Sequence, residues 1–268
     1  MTVATYTKVD LKQQLKKMGI KHSDSILVHS SMKSIGNVTG GADAVLDVLS
    51  DYMSDGLLVL PTHTWAYIDQ NNPIFDVNRS KTCVGILTEL FRKRPEVHRS
   101  LHPTHSVAAL GEDAEQFVAG DENMDTPCGK GSSLWKLKQR KGKILLIGVD
   151  LRSNTFIHGI EEWMGVPGRL TDEHELLYTC LSDGTRLQVP SYRHCGDNWS
   201  QHYWKVEDIL LASGAITEGV FGSARVLVCD AAQLNEDISA MLTVNKELFT
   251  MNKTIEPQEK MQFLNMLT

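Results

Sequence analysis

The sequence predicts an α/β fold: a three-layer α/β/α sandwich around a mostly parallel central sheet, with a C-terminal β-hairpin extension. Up to residue 165, short apolar runs of strand length alternate with stretches of helical periodicity. This alternation is typical of parallel sheets that helices cover on both faces. Neither a linker-like nor a repeated segment interrupts the 268 residues. The chain is therefore expected to form one domain over residues 1–268.

The strands are predicted from short apolar runs that end in polar residues. In the first half they cover residues 25–31, 57–64, 105–111 and 143–149. Helices are predicted from helical periodicity and from cap residues at their ends. They cover residues 8–18, a segment from about 42, and residues 83–93, 112–119, 132 or 133 to 139, and roughly 155–164. Residues 66–81 are polar and contain Asn71, Asn72 and Pro73, which predicts a loop.

The second half of the chain departs from this alternation. Asp183 and Gly184 lie between two β-rich runs, a pattern that predicts a hairpin. This hairpin would either extend the sheet or form a flap. Residues 191–205 are aromatic and irregular, residues 223–231 predict a further strand, and residues 231–250 predict a closing helix.

The bulk composition excludes several classes of protein. The net charge of −6 argues against a general nucleic-acid binder, because phosphate backbones require clusters of Lys and Arg. The first residues lack the apolar core of a signal peptide, and no apolar run approaches the roughly 18 residues of a membrane span. A cytoplasmic protein is therefore expected. The five cysteines are scattered without a C-x-x-C pair, which predicts neither a disulfide framework nor a zinc–thiolate site.

The segment from Ile144 to Glu162 carries the strongest indication of chemistry. A buried strand leads through a short loop into a helix, and His158 lies near the start of that helix if Asn154 is its N-cap. Glu161 and Glu162 follow on the same helical face. The helix N-terminus lowers the pKa of this imidazole and a nearby carboxylate raises it. His158 is thus a candidate general base partnered by Glu161; the alternative is a hydrogen-bonded, semi-buried histidine above a solvent-facing glutamate.

Other strand-like segments also end in hydroxyls and imidazoles. They are His29-Ser30-Ser31, Thr62-His63-Thr64 and the stretch from His102 to Ser106. A single Ser or Thr after a strand is usually a helix cap, but convergence at one sheet edge favours a shared site. His102 and His105 have the spacing of a metal-binding pair. Pro103 lies between them and neither Cys nor carboxylate completes the set nearby, so no metal site is predicted.

Two glycine-containing turns precede predicted helices and offer backbone N–H groups to a phosphate. One contains Gly36, Gly40 and Gly41, and the other runs over residues 129–133 with Lys130 and Lys136 nearby. Most glycine-containing turns before helices bind no phosphate. Two of them in one chain suit a long phosphorylated cofactor better than one would.

Five ordered sequence blocks resemble the aminoglycoside 3-N-acetyltransferase family, and in particular its YokD-like branch. The blocks are HSSMKSIGNVTGGADAVLDVL, LLVLPTHTW, RSLHPTHSVAALG, CGKGSSLWKL and GVDLRSNTFIHGIEE. They span residues 25 to about 165, and a weaker match covers 223–231. The resemblance implies the three-layer fold, an acyltransferase activity that uses acetyl-coenzyme A, and a role in antibiotic resistance.

The resemblance also implies roles for individual residues. His158 matches the catalytic histidine of the family, and Glu161 matches the glutamate three residues later. Segments that line the cofactor cleft, together with a nearby lysine for its phosphates, correspond to His29, Ser30, Ser31, Lys33, Ser34, Gly36, Val38, Thr62, His63, Thr64, Ser106, Ser132 and Ser133. One position departs from the pattern: Arg152 stands where many aminoglycoside-active members have an aspartate. An arginine would repel a polycationic aminoglycoside, so an anionic or zwitterionic amine becomes an alternative acceptor.

The acceptor site is expected between residues 169 and 205. The expected acceptor contacts are Arg152, Glu162, His194 and Asp197. The predicted reaction is direct transfer of the acetyl group from acetyl-CoA to a small-molecule amine. A homodimer is expected only because dimers are the commonest oligomers. The open alternatives are an acyltransferase of non-antibiotic metabolism, a metal-dependent hydrolase that uses His102 and His105, and a non-catalytic protein that binds coenzyme A.

Overall fold

The computed structural model of the protein describes residues 4–196 and 199–267. Its strands, in chain order, are β1 (Thr5–Tyr6), β2 (Ser25–Ser30), β3 (Asn37–Val38), β4 (Leu57–Pro61), β5 (Ile74–Asp76), β6 (His98–Arg99), β7 (Val107–Gly111), β8 (Lys143–Ile147), β9 (Tyr178–Cys180), β10 (Arg186–Gln188), β11 (Ile216–Phe221) and β12 (Ala224–Asp230).

The helices, in chain order, are α1 (Lys8–Lys17), α2 (Met32–Ile35), α3 (Gly41–Tyr52), α4 (Ile86–Phe91), α5 (Ala114–Val118), α6 (Ser133–Gln139), α7 (Thr155–Trp163), α8 (Glu207–Ser213), α9 (Ala231–Val244) and α10 (Pro257–Leu267). Short 3₁₀ helices cover Asp121–Asn123, Leu151–Ser153 and Trp199–Val206. The predicted closing helix over 231–250 ends at Val244, and α10 was missed. None of the described helices combines the length and apolar character needed to cross a bilayer.

The main sheet is mixed, which corrects the predicted mostly parallel arrangement. Its strand order is β11-β12-β8-β2-β4-β7-β6. Among the described strands, β2 pairs in parallel with β4 and β8, while the other four pairings of this sheet are antiparallel. A buried strand is an apolar run whether it is parallel or antiparallel to its neighbours, so the sequence pattern does not indicate the direction of the strand.

Helices cover both faces of the main sheet, as the sequence predicted. In β2, Ile26 and Val28 pack with α1, α3 and α4, whereas Leu27 packs on the opposite face with residues of α5 to α9. Successive residues of a strand point to opposite faces, and here both faces are apolar. The central strands are therefore fixed from two sides, and their carboxyl ends provide a rigid edge for the residues that follow them.

The predicted hairpin forms around Asp183 and Gly184, but it does not extend the main sheet. Strands β9 and β10 pair with each other and, through β9, with β5 in a separate three-stranded sheet. Strand β5 lies inside residues 66–81, which were predicted to be a loop. The extension of the main sheet comes instead from β11 and β12, which the Gly222 turn connects. Strand β11 was not predicted, because its exposed and partly exposed residues weaken the apolar signal.

Candidate active site

The candidate site is a cavity of about 560 Å³ at the carboxyl ends of β2, β4 and β8. Residues that follow three different strands meet there because those ends lie at one edge of the sheet. Of the residues predicted to act in the site, the cavity is lined by His29, Ser30, His63, Arg152, His158 and His194. The predicted convergence is thus present: His29 and Ser30 come from the end of β2, and His63 follows β4. Arg152 and His158 come from the loop and helix after β8.

His158 lies in the first turns of α7, which begins where the sequence indicated. The side chain of Asn154 caps this helix by accepting a hydrogen bond from the Phe156 N–H at 3.2 Å. The His158 side chain is 17% exposed and faces the cavity. Burial lowers its pKa below the usual 6.5, against the raising effect of Glu161. The imidazole is therefore neutral at physiological pH, as a general base must be.

The Glu161 carboxylate reaches the His158 ring through a tyrosine. The Tyr203 hydroxyl lies 2.6 Å from His158 Nδ1 and donates a short hydrogen bond to Glu161 Oε2. The direct separation of Nδ1 from Glu161 Oε2 is 3.5 Å. Both Tyr203 and Glu161 are fully buried, and burial together with Glu161 raises the pKa of Tyr203 well above its usual value. The phenol thus keeps its proton and can link the two groups.

Arg169 balances the buried charge of Glu161. Its Nε lies 2.7 Å from Glu161 Oε2, and both side chains are almost completely buried. The guanidinium also contacts the His158 ring and donates to the Cys195 carbonyl at 2.7 Å. Because a buried carboxylate without a partner is costly, the arginine keeps Glu161 ionised beside the imidazole.

A second imidazole–carboxylate pair lies next to the first. His194 Nε2 is 2.5 Å from Glu162 Oε1, which also accepts the Cys128 N–H at 3.0 Å. The ring centroids of His194 and His158 are 4.7 Å apart. Burial raises the pKa of Glu162 to about 7 and lowers that of His194 well below 6.5. Glu162 itself does not line the cavity, so it acts on ligands only through His194.

Further neutral histidines extend from the site into the sheet edge. The His63 and His105 ring centroids are 4.9 Å apart, and those of His102 and His105 are 6.1 Å apart. Burial lowers the pKa of His63 to about 3 and that of His102 to about 4. Within the described chain, one group has ligand atoms near enough to hold a metal ion: Cys128, Glu162 and His194 lie within 4.8 Å of one another. Burial raises the pKa of the Cys128 thiol, which disfavours the thiolate that zinc requires.

Three residues expected to contact the cofactor are buried behind the side chains that line the cavity: Thr62, Thr64 and Ser106. The Thr62 and Ser106 hydroxyls are buried 3.0 Å from each other, and Thr64 donates to the Pro103 carbonyl. His63 is held between the Ser106 carbonyl and the Thr155 hydroxyl, at 3.1 and 3.2 Å. These contacts order the polar ends of β4 and β7.

The expected contacts after β2 lie on the short helix α2 and the turn behind it. The Ser31 hydroxyl accepts from the Ser34 N–H at 3.3 Å, and the Ser34 hydroxyl donates to the Gly148 carbonyl at 3.1 Å. Lys33 is exposed. Gly36 has φ of 85°, where a side chain would be strained and would meet Ser223, and Val38 belongs to β3. Of this block, His29 and Ser30 line the cavity.

Two other expected contacts lie away from the cavity lining. Ser132 caps α6, and the Ser133 hydroxyl donates to Asp121 Oδ2 at 2.9 Å. Both serines are buried. Asp197, an expected acceptor contact, lies outside the described residues.

Arg152 lines the cavity and is half exposed. Its guanidinium forms a two-pronged ion pair with Asp150 in the 3₁₀ turn before α7, with Nε 3.0 Å from each carboxylate oxygen. Asp150 does not line the cavity. The guanidinium is therefore the charged group of this turn that lines the cavity, and Asp150 behind it balances much of its charge.

Sequence reasoning missed Tyr203 and Arg169, the two residues that join Glu161 to His158. Tyr203 is separated from His158 by 45 residues and was passed over among the aromatic residues between 191 and 205. Helical spacing relates only residues of one helix, so it favoured a direct contact between Glu161 and the ring. A signal was nonetheless present, since a buried tyrosine and a buried arginine require polar partners.

Comparisons with known proteins show the family of this chain. The family model described as aminoglycoside 3-N-acetyltransferase matches residues 27–243. The SPbeta prophage-derived aminoglycoside N(3′)-acetyltransferase-like protein YokD of Bacillus subtilis is 34% identical over 173 residues, which cover 57% of this chain and 63% of that relative. The chain thus matches less than two thirds of that relative's length. Aminoglycoside N(3)-acetyltransferase VII of Streptomyces paromomycinus is 29% identical over 199 residues, or 68% of each chain.

Solved structures resemble the whole described architecture. The crystal structure of YokD from Bacillus subtilis superposes with a TM-score of 0.80 at 26% identity, covering 92% of this chain and 96% of that one. The structure described as AAC-IIIb binary with CoASH has a TM-score of 0.77 at 25% identity, covering 93% of this chain and all of the other. The family model matches most of the chain, so this protein belongs to the aminoglycoside 3-N-acetyltransferase family.

Proposed function

We propose that the protein transfers an acetyl group from acetyl-CoA to an amine of a small molecule. The observation that carries this proposal is the neutral His158 imidazole, which faces the cavity and is tied through Tyr203 to a buried carboxylate. A base of this kind can remove the proton that an amine must lose before it attacks a thioester. Support also comes from the relatives, whose names describe aminoglycoside N(3)-acetyltransferases, and from the relative solved with CoASH.

The orientation of His158 determines which nitrogen acts. Nδ1 of His158 contacts both the Tyr203 hydroxyl and Arg169 Nη2, and a guanidinium can only donate. For Nε2 to be the base, the ring proton must lie on Nδ1 and be donated to Tyr203, whose own proton goes to Glu161; Arg169 Nη2 then turns from Nδ1 towards Glu161. Nε2 takes the amine proton, and the positive charge that develops on the ring is stabilised by Glu161 through the phenol. The amine attacks the thioester carbonyl, and coenzyme A leaves as a thiol.

The cavity offers polar groups for the thioester. His29 Nε2 is buried and has no hydrogen-bond partner among the described residues, although it belongs to the cavity lining. The Ser30 hydroxyl lines the cavity beside it. Both lie at the carboxyl end of β2 and fit a polar ligand, whereas the Thr64 and Ser106 hydroxyls, which could also donate to an oxyanion, are buried behind the cavity lining. We therefore assign the developing oxyanion to the Ser30 side of the cavity.

The acceptor named in the relatives is an aminoglycoside, and we propose its 3-amino group as the first candidate. A non-antibiotic amine remains the second candidate because of one observation: the guanidinium of Arg152 lines the cavity. Asp150 balances part of this charge and the side chain is half exposed, so the guanidinium repels a polycationic acceptor moderately. An amine that also carries an anionic group would avoid that repulsion.

Thiol release tests the proposed function. The unaltered chain should release free thiol from acetyl-CoA when a suitable amine is present, in a panel of aminoglycosides, short amino acids and aminophosphonates. Initial rates should give intersecting lines, as expected for a ternary complex, and EDTA should leave them unchanged. Absence of thiol release with every amine would refute the proposal. Parallel lines would instead require a covalent acyl-enzyme. Loss of thiol release with EDTA, and its recovery on addition of zinc, would favour a metal-dependent reaction.

Replacing Arg152 by aspartate should favour polycationic acceptors. We expect kcat/KM for gentamicin to rise by about tenfold, the effect of roughly 1.4 kcal/mol of improved electrostatic binding. Arg152→Gln should give an intermediate value, because it removes the repulsion without adding attraction. The KM for acetyl-CoA should be unchanged at saturating amine. A lower value of kcat/KM for gentamicin in both variants would show that the guanidinium contributes to binding of this acceptor.

Replacing Tyr203 by phenylalanine should separate Glu161 from the imidazole. The ring would keep its place in the packing but would lose the hydrogen bond that holds Nδ1 protonated. We expect kcat to fall by about 10–100-fold with little change in KM, and the acidic limb of the kcat–pH profile to move. Phe249→Leu, on the opposite side of the Tyr203 ring, is the matched control for packing. An unchanged kcat and pH profile in Tyr203→Phe would contradict the relay.

A further inference from the structure

Two adjacent carboxylates of α7 serve two adjacent imidazoles of the cavity. Glu161 acts on His158 through Tyr203, while the next residue, Glu162, binds His194 directly at 2.5 Å. The two rings are tilted by 33° with centroids 4.7 Å apart, and both belong to the cavity lining. The reaction proposed above uses only the first pair. The second pair is equally buried and equally well aimed at the cavity.

Acetyl transfer has a second proton step, which the first pair can serve only if His158 passes on the proton that it has just taken. The ammonium proton that His158 removes first passes on to solvent, and the amine nitrogen then gives a second proton to His158 as it bonds to the acetyl carbon and the carbon–sulfur bond breaks. The sulfur carries away the electron pair of that bond and must receive a proton to leave as a thiol. His158 holds the proton from the amine at that moment. A separate donor close to the same reacting carbon would let both steps occur without waiting for water.

We propose that His194, held by Glu162, is the acid that protonates the departing sulfur of coenzyme A. This inference rests on the proposed acetyl transfer. The pair carries one proton beyond those of a neutral ring and an ionised carboxylate, and it shares that proton across the hydrogen bond between His194 Nε2 and Glu162 Oε1. The ring gives its Nδ1 proton to sulfur as the carbon–sulfur bond breaks, and Nε2 keeps the shared proton. After turnover His158 carries one proton more and the His194–Glu162 pair one fewer. The neighbouring rings allow the proton to return directly or through one water, which balances the cycle.

The surroundings of His194 favour a group that readily gives up a proton. The charged and titratable groups around it come from four segments of the chain: His158 and Glu162 on α7, Arg169 after that helix, His102 and His105 before β7, and Cys128 in the loop before α6. Arg169 and the histidines disfavour a positive charge on the ring. Glu162 alone favours it, and the second oxygen of this carboxylate is buried without a hydrogen-bond partner among the described residues. The proton is therefore shared within one pair rather than spread over a network.

The pH dependence of kcat with acetyl-CoA tests the assignment. The unaltered chain should lose kcat at high pH, where the pair has lost its proton. His194→Asn should lower kcat at neutral pH by about 10²–10³, leave the KM for acetyl-CoA within about threefold, and lack this alkaline limb. Glu162→Gln keeps a polar partner for the ring and should cost about tenfold, with the alkaline limb moved to lower pH. His98→Asn, an exposed histidine outside the cavity, is the matched control.

The leaving group provides a second readout that a merely structural role would not affect. The thiolate of 4-nitrothiophenol needs no proton to leave, so its acetyl thioester should react at similar rates with the unaltered chain and with His194→Asn. His158→Ala should remain slow with this thioester, because the amine still has to lose a proton. Near-normal turnover of acetyl-CoA by His194→Asn would overturn the proposal, and so would a loss that is equal at every pH and for both thioesters. Failure of the unaltered chain to release thiol from acetyl-CoA would remove the proposed function and this inference together.

Discussion

Replacing His158 by alanine should lower kcat by about 10²–10⁴, the usual contribution of a general base. The loss should exceed that of Tyr203→Phe, since alanine removes the proton acceptor itself while phenylalanine removes only its orientation. Glu161→Gln should also cost less, because the ring stays in place with a poorer partner. The KM for acetyl-CoA should change little, as the lost interaction is made mainly in the transition state.

Single-turnover thiol release at saturating amine measures this effect without interference from product release. His98→Ala is the matched control, since it removes an exposed histidine from β6. Circular dichroism and the urea midpoint should show that His158→Ala remains folded. Turnover by the folded variant within a few-fold of the unaltered chain would refute the role of His158 as the base. In that case His194, whose ring centroid lies 4.7 Å from that of His158 in the cavity, would become the candidate base.

Acidification should destabilise the folded protein well before its carboxylates titrate in the usual range. The pKa values of six histidines around the site are lowered, chiefly by burial: His29, His63, His102, His105, His158 and His194. The values for His29 and His102 are about 4 and that for His63 is about 3. The unfolded chain binds these protons below about pH 6.5, while the folded chain resists them. Stability is therefore present above that pH and is lost as the pH falls below it.

The magnitude follows from the size of these shifts. A histidine whose pKa falls from 6.5 to about 4 on folding costs about 2 kcal/mol when the pH changes from 7.5 to 5.0. Two buried carboxylates act in the opposite direction, since burial raises the pKa of Asp121 to about 6 and that of Glu162 to about 7. Each returns about 1–2 kcal/mol over the same range. The histidines are more numerous, so we expect a net loss of several kcal/mol.

Urea unfolding at several pH values between 7.5 and 5.0 measures this loss. The midpoint should fall steadily over the range, by more than surface charge alone would produce. His29→Gln should reduce the dependence of the unfolding free energy on pH by nearly one proton, whereas His98→Gln should leave it unchanged. A midpoint that is constant from pH 7.5 to 5.0 would contradict the burial of neutral histidines at this sheet edge.

Much of the candidate site could be predicted because its information is local. Asn154 caps α7 and places His158 at a fixed distance from the end of β8, so a stretch of some twenty residues determines where the base lies. Polar residues after apolar strands likewise predicted that His29 and His63 would meet at one edge. The five ordered sequence blocks predicted the family. The match of the family model to residues 27–243 confirms it.

The hydrogen bonds and ion pairs that link His158 and Glu161 to other segments could not be predicted in the same way. Tyr203 reaches His158 and Glu161 from a 3₁₀ helix more than forty residues away, and Arg169 reaches Glu161 from the loop after α7. A direct contact between Glu161 and the ring satisfied the helical spacing equally well. Only side-chain geometry shows that the Tyr203 hydroxyl bridges the two groups at hydrogen-bond distance, beside their direct separation of 3.5 Å.

By itself, the sequence determined the central strands and most helices of the first half, the polar edge where ligands meet, and the residue that serves as the candidate base. These features depend on periodicity, caps and apolar runs, which neighbouring residues set. Only the tertiary structure decided the direction of the outer strands, the sheet that the hairpin at Asp183 joins, and the partners of the two glutamates of α7. These features depend on contacts between distant segments, whose energies arise from burial in the folded chain and leave no pattern along the sequence.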